Sequence, residues 1–191
     1  MMKIGCVIMA SGLGKRFGGN KLLCDFRGRP MVQYILDATQ DIPSRILVTR
    51  HPEIAALCQT RQIPALLHDL PLRSDTVRLG LSALLDRDPD LEGCLFAAGD
   101  QPCLKKESIT ALCDAFRNVS SQIYRLSFGG VPGNPVLFPR SCFDALLHLP
   151  EGTGGSAVIQ AHPELVRLVE AADQRELTDV DTPETLAELS K

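Results

Sequence analysis

Two hydrophobic patterns alternate along this chain: short continuous apolar runs, and apolar residues recurring every three or four positions. Ile4-Gly5-Cys6-Val7-Ile8-Met9-Ala10, Arg45-Ile46-Leu47-Val48-Thr49 and Cys94-Leu95-Phe96-Ala97-Ala98 have the unbroken apolar character of strands buried on both faces, and Ala65-Leu66-Leu67 is a shorter one. Between them, Met31, Val32, Ile35 and Leu36 predict a helix, and residues 51–58 a short one. Val77, Leu81, Leu84 and Leu85 form the apolar face of a third helix, which Ser74 is placed to cap. Ile109, Leu112, Cys113 and Phe116 form the face of a fourth. Strands and helices in strict alternation predict right-handed crossovers. The expected fold is α/β, with a Rossmann-like, mostly parallel sheet and helices on both faces.

The last third has a different texture. Residues 124–128 are strand-like, and Gly129-Gly130-Val131-Pro132-Gly133-Asn134-Pro135 predicts a loop before the apolar Val136-Leu137-Phe138. Short helices are expected over 141–147 and 155–161, and a strand over 165–169. Thr182-Pro183-Glu184 supplies a cap, a first-turn proline and a first-turn acid for a final helix. No repeat, low-complexity tract or linker interrupts the chain, so residues 1–191 are expected to form one domain.

Composition narrows the field only a little. A net charge of −3, with acids and bases interspersed, argues against a nucleic-acid surface. No apolar run approaches the roughly 18 residues of a membrane span, and Met1-Met2-Lys3 leads into a strand without a cleavage site, so neither membrane insertion nor a signal peptide is expected. Seven cysteines without a C-x-x-C pair suggest reduced thiols in a cytoplasmic protein; Cys103 is read as packing. The four histidines, at 51, 68, 148 and 162, fall at element edges and are read as surface residues.

The chemistry gathers after strands. The first apolar run breaks into Ser11-Gly12-Leu13-Gly14-Lys15-Arg16-Phe17-Gly18-Gly19-Asn20-Lys21. Glycines let backbone N–H groups approach anionic oxygens, and Lys15, Arg16 and Lys21 can neutralise them, so this is a polyphosphate loop. It is neither a Walker A loop, lacking G-K-[ST], nor a dinucleotide fingerprint, since Phe17 fills the third glycine position. Ligands of parallel sheets bind beyond the carboxyl ends of strands, where Asp100 and, later, Asp179 and Asp181 are also expected. Cations and carboxylates together suggest a Mg²⁺–nucleoside triphosphate site. Asp100 could instead satisfy a turn, one of Asp179 and Asp181 could brace the Thr182 cap, and Arg73-Ser74-Asp75-Thr76 reads equally well as a plain helix start.

With those residues in view, the chain resembles the MobA-like nucleotidyltransferases, and within them the molybdenum cofactor cytidylyltransferases. Their opening A-A-G-x-[GS]-x-R-[MF]-G-x-x-K-L loop corresponds to Ala10 through Leu22, and their G-D-Q-P to Gly99-Asp100-Gln101-Pro102. Their P-G-N-P-V-L-F corresponds to Pro132 through Phe138, and their D-[IV]-D-T-P-E-[DT]-L close to Asp179 through Leu186. Four motifs in family order span nearly the whole chain. Ser11 departs from the usual alanine or glycine. Guanylyl-transferring relatives tend to carry A-G-G and C-D-M-P instead, so the motifs lean towards cytidine. Arg73-Ser74-Asp75-Thr76-Val77-Arg78 also resembles the R-x-D-S-V segment of methylerythritol phosphate cytidylyltransferases, whose dimer arm and late motifs this chain lacks.

The resemblance implies a nucleotide-diphospho-sugar transferase type of fold and transfer of CMP from CTP to the terminal phosphate of a molybdopterin-type cofactor. It implies Arg16, Lys21 and Asp100 as catalytic residues. Ala10, Ser11, Gly12, Leu13, Gly14, Arg73, Asp75 and Thr76 would meet the nucleotide, and Gly133, Asn134, Pro135, Gly154 and Gly155 the acceptor. Mg²⁺ would be held by Asp100 and Asp181, with Asp179 as alternate. Guanylyl transfer, methylerythritol phosphate as acceptor, and a non-catalytic cofactor carrier serving a molybdenum hydroxylase client are the other readings.

Overall fold

The computed structural model describes residues 2–14 and 16–191; Met1 and Lys15, the latter one of the predicted loop cations, lie outside the described residues. In chain order the strands are β1 (Ile4–Ala10), β2 (Asp25–Phe26), β3 (Arg29–Pro30), β4 (Ser44–Thr49), β5 (Ala65–Leu67), β6 (Gly93–Ala98), β7 (Ile123–Phe128), β8 (Val131–Pro139) and β9 (Val166–Glu170). The helices are α1 (Val32–Ala38), α2 (Pro52–Thr60), α3 (Arg73–Arg87), α4 (Lys106–Asn118), α5 (Phe143–Leu147), α6 (Ser156–Ala161) and α7 (Pro183–Leu189). Seven strands form one sheet in the order β5-β4-β1-β6-β8-β7-β9, parallel except for β8; β2 and β3 pair separately. This is the predicted α/β architecture.

Because side chains alternate across a strand, each buried strand feeds two cores. Cys6, Ile8, Leu47, Leu95 and Ala97 pack on one face under α1, α2 and α4. Val7, Val48, Cys94 and Phe96 pack on the other under α3, α5 and α6. In α4, Ile109, Leu112, Cys113 and Phe116 are all buried, as their spacing predicts. Each such large apolar side chain contributes about 1.5–3 kcal/mol on burial, which outweighs helix propensity.

Two local expectations are corrected. The segment predicted as a loop over 129–135 is only a Gly129-Gly130 turn, and residues 131–135 already belong to β8. Positive φ at both glycines closes the hairpin, and the Glu170 carboxylate accepts the N–H groups of Gly129 (2.8 Å) and Gly130 (3.1 Å). Ser74 does not cap α3: the helix starts two residues earlier than that cap implies, at Arg73, with Leu72 at the cap position. The Asp75 carboxylate accepts the Leu72 N–H (3.1 Å), while buried Ser74 accepts the Gly152 N–H (3.3 Å). Thr182 does cap α7, accepting from the Thr185 N–H. The seven cysteines are free, and no helix among the described residues is long and apolar enough to cross a membrane.

Candidate active site

Beyond Met9 and Ala98, which face each other in register, β1 and β6 reach the same edge of the sheet. Past Ala10 the chain enters the glycine loop; past Ala98 it enters Gly99-Asp100. The Gly99 N–H donates to the Met9 carbonyl (2.9 Å), which seats Asp100 beside the loop. With β4 on one side of β1 and β6 on the other, this is the switch point of the sheet, where ligands of such folds bind.

The loop folds on itself. The Gly14 carbonyl accepts N–H groups from Phe17 and Gly18, each at 2.9 Å. Gly14 has φ +61°, and a Cβ there would stand 2.0 Å from the Gly19 carbonyl oxygen, so only glycine fits. Two of the histidines expected at the surface instead brace this loop. His68 Nε2 lies 2.9 Å from Ser11 Oγ, which is itself 3.1 Å from the Val48 carbonyl, and His51 Nε2 lies 3.0 Å from the Gly12 carbonyl. His148 and His162 are exposed, as expected.

Lys21 is buried, and its Nζ donates to Asp100 Oδ2 (2.6 Å) and Asp181 Oδ1 (2.9 Å). Burial opposes its charge, but hydrogen bonds and attraction from the two carboxylates outweigh that and raise its pKa. Arg16 donates from Nη2 to Asp181 Oδ2 (2.7 Å). The hydrogen bond from Lys21, then the Lys21 and Arg16 charges, hold the Asp181 carboxyl below its usual range against burial. Asp179 opens into the cleft, yet crowding by surrounding protein, then repulsion from Asp100 and Asp181, push it up to about 6.

Sequence reasoning missed what holds these acids in place. The Val180 N–H donates to the Asp100 carbonyl (2.9 Å), and the buried Gln101 side chain donates to the Leu177 carbonyl (3.3 Å). One turn earlier the fully buried Glu176 carboxylate accepts from Ser108 Oγ (2.5 Å) and the Lys105 N–H (3.2 Å) at the start of α4. Nothing in the spacing of Gln101 or Glu176 marks such a role, because their partners are about 70 residues away.

Among the described residues no three His, Cys, Asp or Glu side chains converge closely enough to enclose a metal. What the site offers is two carboxylates, Asp100 and Asp181, sharing one ammonium at the wall of an open cleft. That donor set fits Mg²⁺, which keeps waters and takes one or two carboxylates plus substrate phosphate oxygens.

The cleft has about 530 Å³ and is lined by Ser11, Gly12, Leu13, Arg16, Arg73, Thr76, Asp100, Asn134, Asp179 and Asp181. A recess of about 230 Å³ continues to Ala10, Gly14 and Lys21. On the other side a pocket of about 200 Å³ includes Asn134 and Gly155. Asp75 is not among the lining residues: its carboxylate is engaged by the Leu72 N–H and Arg78. Gly133 and Pro135 flank Asn134 on β8, and a Cβ on Gly154 would stand 3.1 Å from Arg73 Nε, so glycine there lets Arg73 lie across it.

Residues 6–166 match the model of the MobA-like NTP transferase domain. The chain belongs to this family, a family of nucleotidyltransferases. A probable molybdenum cofactor guanylyltransferase of Bacillus licheniformis is 29% identical over 107 residues, 56% of this chain and 53% of that one. A protein of the same name in Halalkalibacterium halodurans is 28% identical over 133 residues, 68% and 58% of the two chains. The matched stretches thus span little more than half of either relative. Among solved structures, the Rv0371c protein of Mycobacterium tuberculosis H37Rv is similar at a TM-score of 0.80 and 21% identity, over 100% of this chain and 98% of that one. It has also been solved with manganese. CMP:2-keto-3-deoxy-manno-octonic acid synthetase, solved with CTP, is similar at 0.76 and 16% identity, over 98% and 97%. At these identities the likeness shows the fold, that of nucleotide-diphospho-sugar transferases.

Proposed function

We propose that this chain transfers CMP from CTP, bound with Mg²⁺, to the terminal phosphate of a molybdopterin-type acceptor and releases pyrophosphate. The observation that carries the reading is the charge arrangement at the switch point: Lys21 bridges Asp100 and Asp181, and Arg16 pairs with Asp181, at the wall of a cleft of about 530 Å³. An acceptor phosphate oxygen attacks the α-phosphorus, the bond from that phosphorus to the β-phosphate bridging oxygen breaks, and its electron pair leaves with pyrophosphate. Arg16, largely exposed at the cleft, meets the β- and γ-phosphates, and Lys21 stabilises charge at the α-phosphate while holding Asp100 in place and favouring the ionised form of Asp181. Asp100 and Asp181 would hold Mg²⁺, which would supply Lewis-acid charge to the phosphate oxygens. Asp179 and Asp181, beyond residue 166 where the family match ends, line the same cleft as Arg16 and Asp100, which supports the whole chain acting as one transferase domain.

Gly99-Asp100-Gln101-Pro102, where guanylyl-transferring relatives tend to carry C-D-M-P, supports cytidine, and Arg73 and Thr76 lie in the cleft beside the loop, whose Ser11 matches neither pattern. The names of the two curated relatives favour guanylyl transfer as the second reading. The thermal midpoint with CTP, GTP, ATP and UTP in turn, with and without Mg²⁺, separates them. Ligand that binds only the folded state raises the midpoint. A rise confined to CTP with Mg²⁺ is expected; a rise confined to GTP assigns the guanylyl branch.

A further inference from the structure

Arg125, at the middle of β7, is a half-buried arginine that neither the motifs nor the nucleotide chemistry uses. Among the described residues its buried Nε has no hydrogen-bond partner, and the side chain's one hydrogen bond is a long one from Nη2 to the Gly133 carbonyl (3.4 Å). β7 shifts register between Arg125 and Ser127, just where it borders the pocket of about 200 Å³ between α3, α6 and the sheet. Arg73 reaches the same pocket from the start of α3, lying across Gly154. The one acid in the first turn of α3, Asp75, is turned away and engaged by Arg78 and the Leu72 N–H. The remaining wall is largely apolar, with Val77, Phe96, Val136, Phe138 and Ile159.

A guanidinium partly removed from water, with no carboxylate beside it among the described residues, loses hydration that nothing replaces, which leaves its charge open to an anionic ligand. We propose that Arg125 and Arg73 form an oxyanion subsite for the acceptor, which enters this pocket with a phosphate monoester against the two guanidiniums and an apolar body along the wall. Burial holds the Arg125 pKa below its ordinary value, in keeping with the lack of a carboxylate beside it. The pocket shares Met9, Arg73 and Asn134 with the nucleotide cleft, which gives the bound phosphate a route to the α-phosphorus. The assignment rests on the acceptor side of the proposed transfer, and adds a residue and a ligand chemistry to it.

Inorganic phosphate is the probe. In ¹⁵N-arginine-labelled protein, the Nε–H resonance that disappears in Arg125→Lys should shift saturably with phosphate, and should still do so in Arg16→Gln, where the nucleotide phosphate site is weakened. Arg125→Gln should lower phosphate affinity at this pocket, and raise the acceptor KM, roughly ten- to a hundredfold, the scale of a lost charged hydrogen bond, with the CTP KM unchanged. Arg125→Met should keep or raise the thermal midpoint, since it removes an unpaired charge; a clear fall would make Arg125 structural. A phosphate-insensitive Arg125 resonance, or equal phosphate affinity in Arg125→Gln, overturns the proposal even if CTP binds. Absence of nucleotide binding with an intact phosphate response would sink the transferase reading instead.

Discussion

Lys21 sits between two carboxylates that would otherwise repel each other across the end of the sheet. Its ammonium is one of the few charges buried in the molecule, and removing one partner of such a cluster typically costs about 3–5 kcal/mol, whereas a surface pair is worth at most about 1. Lys21→Met is therefore expected to lower the thermal midpoint by several degrees and to reduce pyrophosphate release by at least about a hundredfold. A stable, fully active Lys21→Met would show that the cluster is neither structural nor catalytic. The same residue shows what was legible in the chain. Lys21, Arg16 and Gly14 declare themselves because loop chemistry is local: glycine next to cation next to glycine has few other uses. Arg125 did not, since an arginine within an apolar strand looks like ordinary alternation until the pocket beside it is seen. His51 and His68 were hidden for a related reason, as their contacts with Gly12 and Ser11 cross from the end of β4 and the end of β5.

Elements are tied to the site by polar clamps as much as by packing. Glu176 fixes the segment before Asp179 to the start of α4, and Gln101 ties Leu177 to the turn after β6. Away from the cleft, Asp37 on α1 pairs with Arg29 of β3 and Arg61 at the end of α2, joining three elements. Burial opposes the Asp37 charge, but the hydrogen bonds from Arg61 and Arg29 prevail and hold its pKa below the usual value. A depressed carboxyl stabilises the fold above its unfolded pKa, and that contribution is lost as pH falls through the folded value. The midpoint of Asp37→Asn should thus lie below the parent between about pH 5 and 7, with the gap closing below about pH 4. A gap independent of pH would mean that the pair acts by shape and not by charge. Strands and helices with strong periodicity, such as β1, β6 and α4, were readable. β8 was not, because its extended course through Pro132 and Pro135 is imposed by pairing with β6 and β7 rather than by its own glycine- and proline-rich residues. Ser74 misled as a cap since Asp75 takes the capping role one residue on.

At the scale of the whole molecule, the sheet order brings together groups distant in sequence: the loop after β1, Asp100 after β6, Asn134 on β8 and Asp181 before α7. The class of fold follows from alternation alone, but the antiparallel insertion of β8 between β6 and β7 is a matter of global pairing that no local pattern encodes. That insertion carries Asn134 to the wall between the nucleotide cleft and the Arg125 pocket, so the acceptor side depends on the least legible part of the fold. The central claim is nucleotidyl transfer from CTP at the Asp100–Lys21–Asp181 cluster. It is tested most directly by following label from the α-phosphate of CTP in the presence of Mg²⁺ and molybdopterin, for the parent chain and for Asp100→Asn. Label should pass to the pterin with one pyrophosphate released per transfer, and Asp100→Asn should abolish it while retaining the parent's fold. Transfer from GTP and not CTP, or undiminished transfer by Asp100→Asn, would contradict the account.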